Sequence, residues 1–376
     1  MIRKTVQDLS LPALGMGCMR LPVRDGRSDD IDEEAVARMA DYAMEHGVNY
    51  FDTAWFYHDR LSEPVMGRVL QRYPRESFFL ATKFPGLDPK LMKAPAALFE
   101  KQLENLRTDY FDFYLIHNVN EATIDRFLDP TFGVIPYLVE QKRAGRIRHL
   151  GFSTHGSLAT MRRFLDAVGA EMEFCQIQLN WLDWSFQNAK EKVELLKEYH
   201  LPVWVMEPVR GGRLVNLPED VAAQLHAMRP GVSGPEWAFR FLQSIPEVVV
   251  TLSGMSNMEQ LQENIRTYES AQPLSAAEWA GLQTVAEGLI RKNLIPCTGC
   301  RYCMEKCPRQ IGIPALLSMY NDHFLTGDGK ISLRFLAAVP EGRRPGDCLG
   351  CRACEGACPQ NIKISEVLAD FSRRLE

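Results

Sequence analysis

The sequence predicts an α/β fold, a (β/α)8 TIM barrel over residues 1–290 followed by a small, largely helical domain over residues 291–376. Three observations carry that expectation. Eight short, β-rich apolar runs alternate with amphipathic helical stretches between about residue 11 and residue 270. The alternation stops near residue 290, where cysteine, proline and glycine become frequent. A chain of 376 residues is also long enough for two domains.

The runs Ala13–Gly17, Asn49–Asp52, Phe79–Lys83, Phe111–His117, Ile147–Ser153, Phe174–Asn180, Val203–Met206 and Val248–Leu252 are the expected strands. Between them, apolar residues recur at helical spacing over Glu33–His46, Ser62–Tyr73, Pro95–Arg107, Glu140–Ala144, Leu158–Val168, Gln187–Tyr199 and Met258–Tyr268. A doubly wound open sheet is the competing arrangement. No G-x-G-x-x-G follows the first strand, which weakens its dinucleotide-binding version. Ser275–Leu289 reads as a further helix leading out of the barrel. Beyond it, Pro314–Tyr320 reads as helical and Ile331–Ala338 as a second apolar stretch.

Hydrophobic residues make up 46% of the chain and charged residues 24%, ordinary for a globular protein that needs no disulfide staples. A net charge of −5 without a Lys/Arg block argues against a nucleic-acid partner. No apolar run approaches ~18 residues and no apolar segment follows the basic N-terminus, so no membrane partner and a cytoplasmic location are expected. In a reducing compartment, ten cysteines are expected as metal ligands before disulfides.

Eight of those cysteines form an internal repeat. Residues 297–308 read CTGCRYCMEKCP and residues 348–359 read CLGCRACEGACP, both C-x2-C-x2-C-x3-C-P, each followed by an isoleucine, Ile311 and Ile362. Three cysteines at intervals of three wrap one face of a cuboidal cluster, and the fourth, before proline, ligates the other cluster. Cys297, Cys300, Cys303 and Cys358 would hold one [4Fe–4S] cluster. Cys348, Cys351, Cys354 and Cys307 would hold the second. Structural zinc sites usually show two cysteine pairs, without the third close cysteine and the Cys-Pro. The pattern resembles bacterial-type dicluster ferredoxins, with a longer insert over Arg309–Asp347. Such modules carry single electrons, which implies a redox protein partner. Stapling of a small domain is the alternative role.

Asp52, Lys83 and His117 each stand at the C-terminal end of a successive expected strand, and Tyr57 lies in the loop after the first. That is the face where barrels build active sites. Each residue alone is unremarkable, and together they form a plausible proton-transfer site. The stretches D-T-A-x-x-Y (Asp52–Tyr57) and S-E-x-x-x-G (Ser62–Gly67) resemble the aldo-keto reductase family over roughly residues 11–270, whose Asp, Tyr, Lys and His tetrad matches Asp52, Tyr57, Lys83 and His117. The resemblance implies an enzyme that interconverts a small-molecule carbonyl and its alcohol with NADP or NAD. Tyr57 would then be the general acid, with Lys83 lowering its pKa, Asp52 holding Lys83, and His117 donating to the carbonyl oxygen.

The same resemblance implies cofactor contacts at Asp52, at Ser153 and Thr154 with Gln176 (carboxamide side), and at Glu263 and Asn264 (adenine side). The stretch Gly254–Gln260 lacks the basic clamp for a 2′-phosphate, a role open to Arg266 or Arg210. Cys18 and Cys175 are expected as buried core thiols. His58 and His155 are candidate pocket residues, and Trp55, Phe56 and Trp181 a candidate substrate wall. Hydride moves two electrons and a cluster one, and a flavin, which bridges the two regimes, stays open as a cofactor. The alternative function is an electron-transfer subunit whose barrel binds nucleotide or a partner without carbonyl chemistry.

Overall fold

The structure is a computed structural model. It describes the chain except for residues 7, 87, 122, 296, 298–302, 327–335, 337, 338, 359, 360 and 376. Residue contacts divide it into two units. The first comprises Met1–Trp184, Asn188–Gly211 and Ser233–Ala276, and the second Ser185–Gln187, Gly212–Val232 and Ala277–Glu376.

The first unit opens on a hairpin, β1 (Arg3–Val6) and β2 (Leu9–Pro12), which the sequence reading did not anticipate. Eight parallel strands then close into a barrel: β3 (Leu14–Gly17), β4 (Tyr50–Asp52), β5 (Phe79–Pro85), β6 (Phe111–Val119), β7 (Ile147–Thr154), β8 (Cys175–Gln178), β9 (Val203–Met206) and β10 (Val248–Ser253). β10 pairs with β3 to complete the ring. This is the expected TIM barrel, with every anticipated strand present.

The barrel is packed rather than hollow. Phe113 lies 5.1 Å from Tyr50, 5.3 Å from Phe174 and 5.6 Å from Trp204, measured between ring centroids. The buried Trp204 Nε1–H donates to Tyr50 Oη at 3.1 Å, so that indole is satisfied inside the core. Val6 and Leu9 of the hairpin pack onto this cluster. Ile2 N–H donates to Tyr268 O and Lys4 Nζ to Val248 O, tying the N-terminal residues to β10 and the helix after it.

Helix Ser62–Leu70 shows why the S-E-x-x-x-G stretch needs its glycine. A Cβ on Gly67 would stand 2.1 Å from Asn105 O on helix Pro95–Leu106, so only glycine lets the two backbones approach this closely. Helices Glu219–Met228 and Gly234–Gln243 add to those read from sequence.

In the second unit, helix Ala276–Asn293 begins one residue before that unit's stretch Ala277–Glu376. Helices Ile313–Thr326 and Ile364–Leu375 follow, as expected of a largely helical tail. Ile311, Ile313, Leu316, Leu317, Ile362, Ile364, Leu368 and Phe371 form its apolar core, so the isoleucine after each cysteine run is a core residue. Of the Ile331–Ala338 stretch, only Leu336 lies within the described residues, where it is helical and buried.

Candidate active site and cysteine cluster

Asp52 ends β4, Lys83 lies on β5 and His117 on β6, and the barrel register aligns these strand ends (Asp52 with Ala81, Lys83 with Leu115, Pro85 with His117). Lys83 is the hub. Its Nζ donates to Asp52 Oδ1 at 2.5 Å, to Thr53 O at 2.7 Å and to Tyr57 Oη at 3.3 Å, while the side chain is 1% exposed. The His117 ring meets Tyr57 edge-on at 6.3 Å. All four tetrad residues are therefore gathered at one place on the C-terminal rim.

Burial sets the protonation of this group. Burial alone would lower Lys83, but Asp52 and Tyr57 outweigh it and hold the ammonium above its ordinary value. Burial pushes the Asp52 carboxyl up while Lys83 pulls it back. The short bond between them supports an ion pair. Burial and nearby Lys83 push His117 down to about 3, leaving a neutral imidazole that can still donate one N–H.

Tyr57 corrects an expectation. Lys83 does pull its phenol down, but burial pushes harder in the other direction and Asp52 adds to it, so the net direction is upward. The phenol is held protonated at neutral pH.

His58, the next residue, has both ring nitrogens engaged with the loop after β3. Nε2 accepts from Leu21 N–H at 3.0 Å, and Nδ1 lies 2.9 Å from Ser28 O. These contacts tie the loop after β4 to the loop after β3. Its φ of 50°, followed by 53° at Asp59 and 74° at Arg60, puts three non-glycine residues in succession in the left-handed region.

Ser153 and Gln176 are register partners on β7 and β8, 1% and 2% exposed. Ser153 Oγ and Gln176 Oε1 have no hydrogen-bond partner among the described residues. Buried polar atoms left in this state mark a place for a polar ligand. The donor and acceptor types fit a nicotinamide carboxamide. Thr154 differs, since its hydroxyl donates to Val119 O at 2.7 Å and accepts from Gly156 N–H at 2.9 Å. Asn264 donates to Ser253 Oγ at 3.0 Å at the end of β10, and Glu263 accepts from Ser233 Oγ at 2.6 Å, both away from the tetrad strands β4 to β6.

Arg210 is no surface phosphate clamp. It is 2% exposed and paired with buried Asp183 at 3.2 Å, which also accepts from Gln178 and Asn180. Arg266 is exposed in the last turn of helix Met258–Tyr268. Arg20 carries no motif in the sequence, yet the fold brings it to the rim. A Cβ on Gly254 would lie 3.2 Å from its Cβ and Cδ, and a Cβ on Gly211 would lie 3.0 Å from its Nη2. Glu63 is likewise informative only in three dimensions. This buried carboxyl accepts from Thr82 Oγ1 and Gln102 Nε2, and Gln102 also donates to Lys83 O, bracing the strand that bears the lysine.

Cys18 and Cys175 are fully buried, and burial raises both thiols. Trp55 is nearly buried and Trp181 fully so, with the Arg60 guanidinium 5.4 Å from the Trp55 ring and 5.8 Å from that of Phe56. His155 is exposed.

In the second unit, Cys307, Cys348, Cys351 and Cys354 line one cavity, with Ile311, Ile313 and Leu368 as its apolar wall. This is the crossed set expected from the repeat, with the fourth cysteine of the first run standing beside three of the second. Cys307 Sγ accepts from Ile311 N–H at 3.4 Å, a contact suited to a thiolate. Four soft sulfurs around an apolar cavity fit an iron–sulfur cluster. Among the described residues no three His, Cys, Asp or Glu groups converge at single-ion spacing. Of the other set, Cys303 is buried and Cys297 and Cys358 partly buried against the same core, while Cys300 lies outside the described residues.

The sequence model of the Aldo/keto reductase family matches residues 13–287, and that of the 4Fe-4S dicluster domain matches residues 296–363. An uncharacterized oxidoreductase of Bacillus subtilis, YqkF, is 27% identical over 310 residues, covering 74% of this chain and 93% of that protein. Among solved structures, an aldo-keto reductase from Bacillus halodurans in its holo form superposes with a TM-score of 0.63 at 27% identity, over 76% of this chain and 96% of that one. An aldo-keto reductase from Klebsiella pneumoniae in complex with NADPH shares the fold, with a TM-score of 0.60 at 20% identity over the same shares. No described helix is long and apolar enough to cross a membrane.

Proposed function

The chain belongs to the aldo/keto reductase family and carries a 4Fe-4S dicluster domain, and from that premise we propose that this oxidoreductase interconverts a carbonyl and its alcohol with a nicotinamide nucleotide and exchanges electrons through two [4Fe–4S] clusters. Residues 1–290 are the catalytic domain and residues 291–376 the electron-carrying one. The observation that carries the reading is the Lys83 hub, bonded to Asp52 and Tyr57 with His117 at the edge of the phenol.

A reduced nicotinamide, when bound, supplies the hydride. Ser153 and Gln176, with buried atoms that lack partners, orient its carboxamide, and Arg20 with Glu263 and Asn264 serves the rest of the nucleotide. His117, kept neutral by burial, donates its N–H to the substrate oxygen and fixes its direction. Tyr57 gives its phenolic proton to that oxygen as negative charge develops there. Lys83 then stabilises the phenolate, and Asp52 holds the ammonium where that charge appears. In the oxidation direction the phenolate takes the proton back. In the second domain, Cys348, Cys351, Cys354 and Cys307 hold one cluster and Cys297, Cys300, Cys303 and Cys358 the other. When bound, the clusters supply one-electron redox chemistry.

The test is anaerobic. The protein with its clusters intact is mixed with NADPH or NADH, with and without a panel of aldehydes and ketones, while nucleotide and cluster absorbance are followed. Carbonyl-dependent nucleotide oxidation that is lost in Tyr57→Phe, together with cluster bleaching by nucleotide, is expected. Bleaching by dithionite but not by nucleotide would overturn the coupling. Cluster reduction without any carbonyl turnover would favour the electron-transfer subunit instead.

A further inference from the structure

The second cysteine set reaches the surface at one member. Cys351 is exposed, and between it and Cys348 stands Leu349, 59% exposed and one of few large apolar side chains left open to solvent among the described residues. Gly350, with φ 63°, and Arg352, with φ 58°, take left-handed backbone conformations in this loop.

The charged residues that line the cavity are Lys306, Arg309 and Arg352, all cations, in a chain whose net charge is −5. Lys306 and Arg309 are exposed. Arg352 faces Glu366 at 3.5 Å with both side chains more than half exposed, a contact that water screens. Of the nearby acids, Glu305 is exposed beside Lys306, whereas Asp347 and Glu355 are engaged within the chain. Asp347 accepts from Arg344 N–H at 2.8 Å, and Glu355 accepts from Ser365 N–H at 2.9 Å and from its hydroxyl.

We propose that the loop Cys348–Arg352, with Lys306 and Arg309 beside it, is the docking surface for a small acidic one-electron carrier protein. This rests on the reading that Cys307, Cys348, Cys351 and Cys354 hold a cluster. Redox encounters use small interfaces, so one exposed apolar side chain on a cavity whose charged lining is three cations is the right scale. Opposite charge speeds encounter and sets orientation without tight binding, which suits a carrier that must leave. One electron crosses between the centre held by these cysteines and that of the carrier. One side is oxidised as the other is reduced, and no bond or proton moves.

The experiment uses the whole protein, purified anaerobically, with an acidic [2Fe–2S] ferredoxin as probe and a basic cytochrome c as control. Stopped-flow electron exchange is measured at several salt concentrations for the parent, for Leu349→Ser, and for Lys306→Glu with Arg309→Glu. Iron, sulfide and visible spectra are recorded for each. The expected result is a roughly tenfold slower exchange of the double variant with the ferredoxin at low salt, a gap that closes as salt rises, and a faster exchange with the cytochrome. Leu349→Ser should weaken the ferredoxin encounter at every salt concentration. Unchanged rates in variants with full iron and sulfide would overturn the docking surface alone. A parent without iron and sulfide would instead overturn the cluster reading on which it stands.

Discussion

Replacing Lys83 by methionine tests the electrostatic core of the site. The ammonium lies 3.3 Å from the Tyr57 oxygen, and at an effective dielectric of ~20 that separation is worth about 5 kcal/mol to a phenolate. Asp52, bonded to the same ammonium at 2.5 Å, cancels part of it. The expected loss in kcat/KM for carbonyl reduction is therefore ~10²–10⁴-fold, the range of a missing acid–base partner. The variant also leaves Asp52 buried and unpaired, which costs about 3–5 kcal/mol of stability. Adding Asp52→Asn separates the two effects. The double variant should regain most of the lost stability and none of the activity. Steady-state kinetics against an aldehyde and denaturant unfolding of all three proteins provide the comparison. A Lys83→Met protein that keeps its rate within about tenfold, or a double variant that regains activity, would refute the assignment.

Three other outcomes are expected. Cys307→Ala should lose the same cluster as Cys351→Ala, and Cys303→Ala the other one; iron content and electron paramagnetic resonance would show whether Cys307 instead groups with Cys303. His117 is neutral in the folded barrel down to about pH 3, whereas an unfolded histidine takes up a proton below ~6.5, so stability falls as pH drops through that window. The slope is at most ~1.4 kcal/mol per pH unit, and unfolding at pH 7 and pH 5 should show a smaller pH loss in His117→Gln than in the parent. Gln176→Leu should raise the nucleotide KM by roughly tenfold, the scale of one buried hydrogen bond, and leave cluster absorbance unchanged.

The barrel was legible because each strand is a short, dense apolar run whose length alone separates it from a helix. Elements were lost where that contrast fades. The helix beginning at Val134 looked shorter because of Pro136, which the first turn accommodates without losing a hydrogen bond. Glu219–Met228 is short and weakly amphipathic, and Gly234–Gln243 hides behind a Gly-Pro start. The hairpin β1–β2 has only four residues per strand and no glycine at its turn. The tetrad could be read because Asp52, Lys83 and His117 fall on successive strands, which the barrel register gathers, and Tyr57 follows the first of them in the adjoining loop. The upward direction at Tyr57 and the commitment of Arg210 to Asp183 depend on burial, which no spacing encodes.

The N-terminal hairpin has a kinetic consequence. Residues 2–12 leave the ribosome long before Val248 and Tyr268, the partners that receive Lys4 and Ile2. Until those arrive, Val6, Leu9 and Leu11 have no complete cluster to join. The hairpin can complete its contacts only after nearly the whole first unit has been made. Such long-range closure slows folding and keeps apolar surface open to chaperones and to aggregation meanwhile. A bulky fusion ahead of Met1, whose side chain rests against Gly47, would burden that last step most.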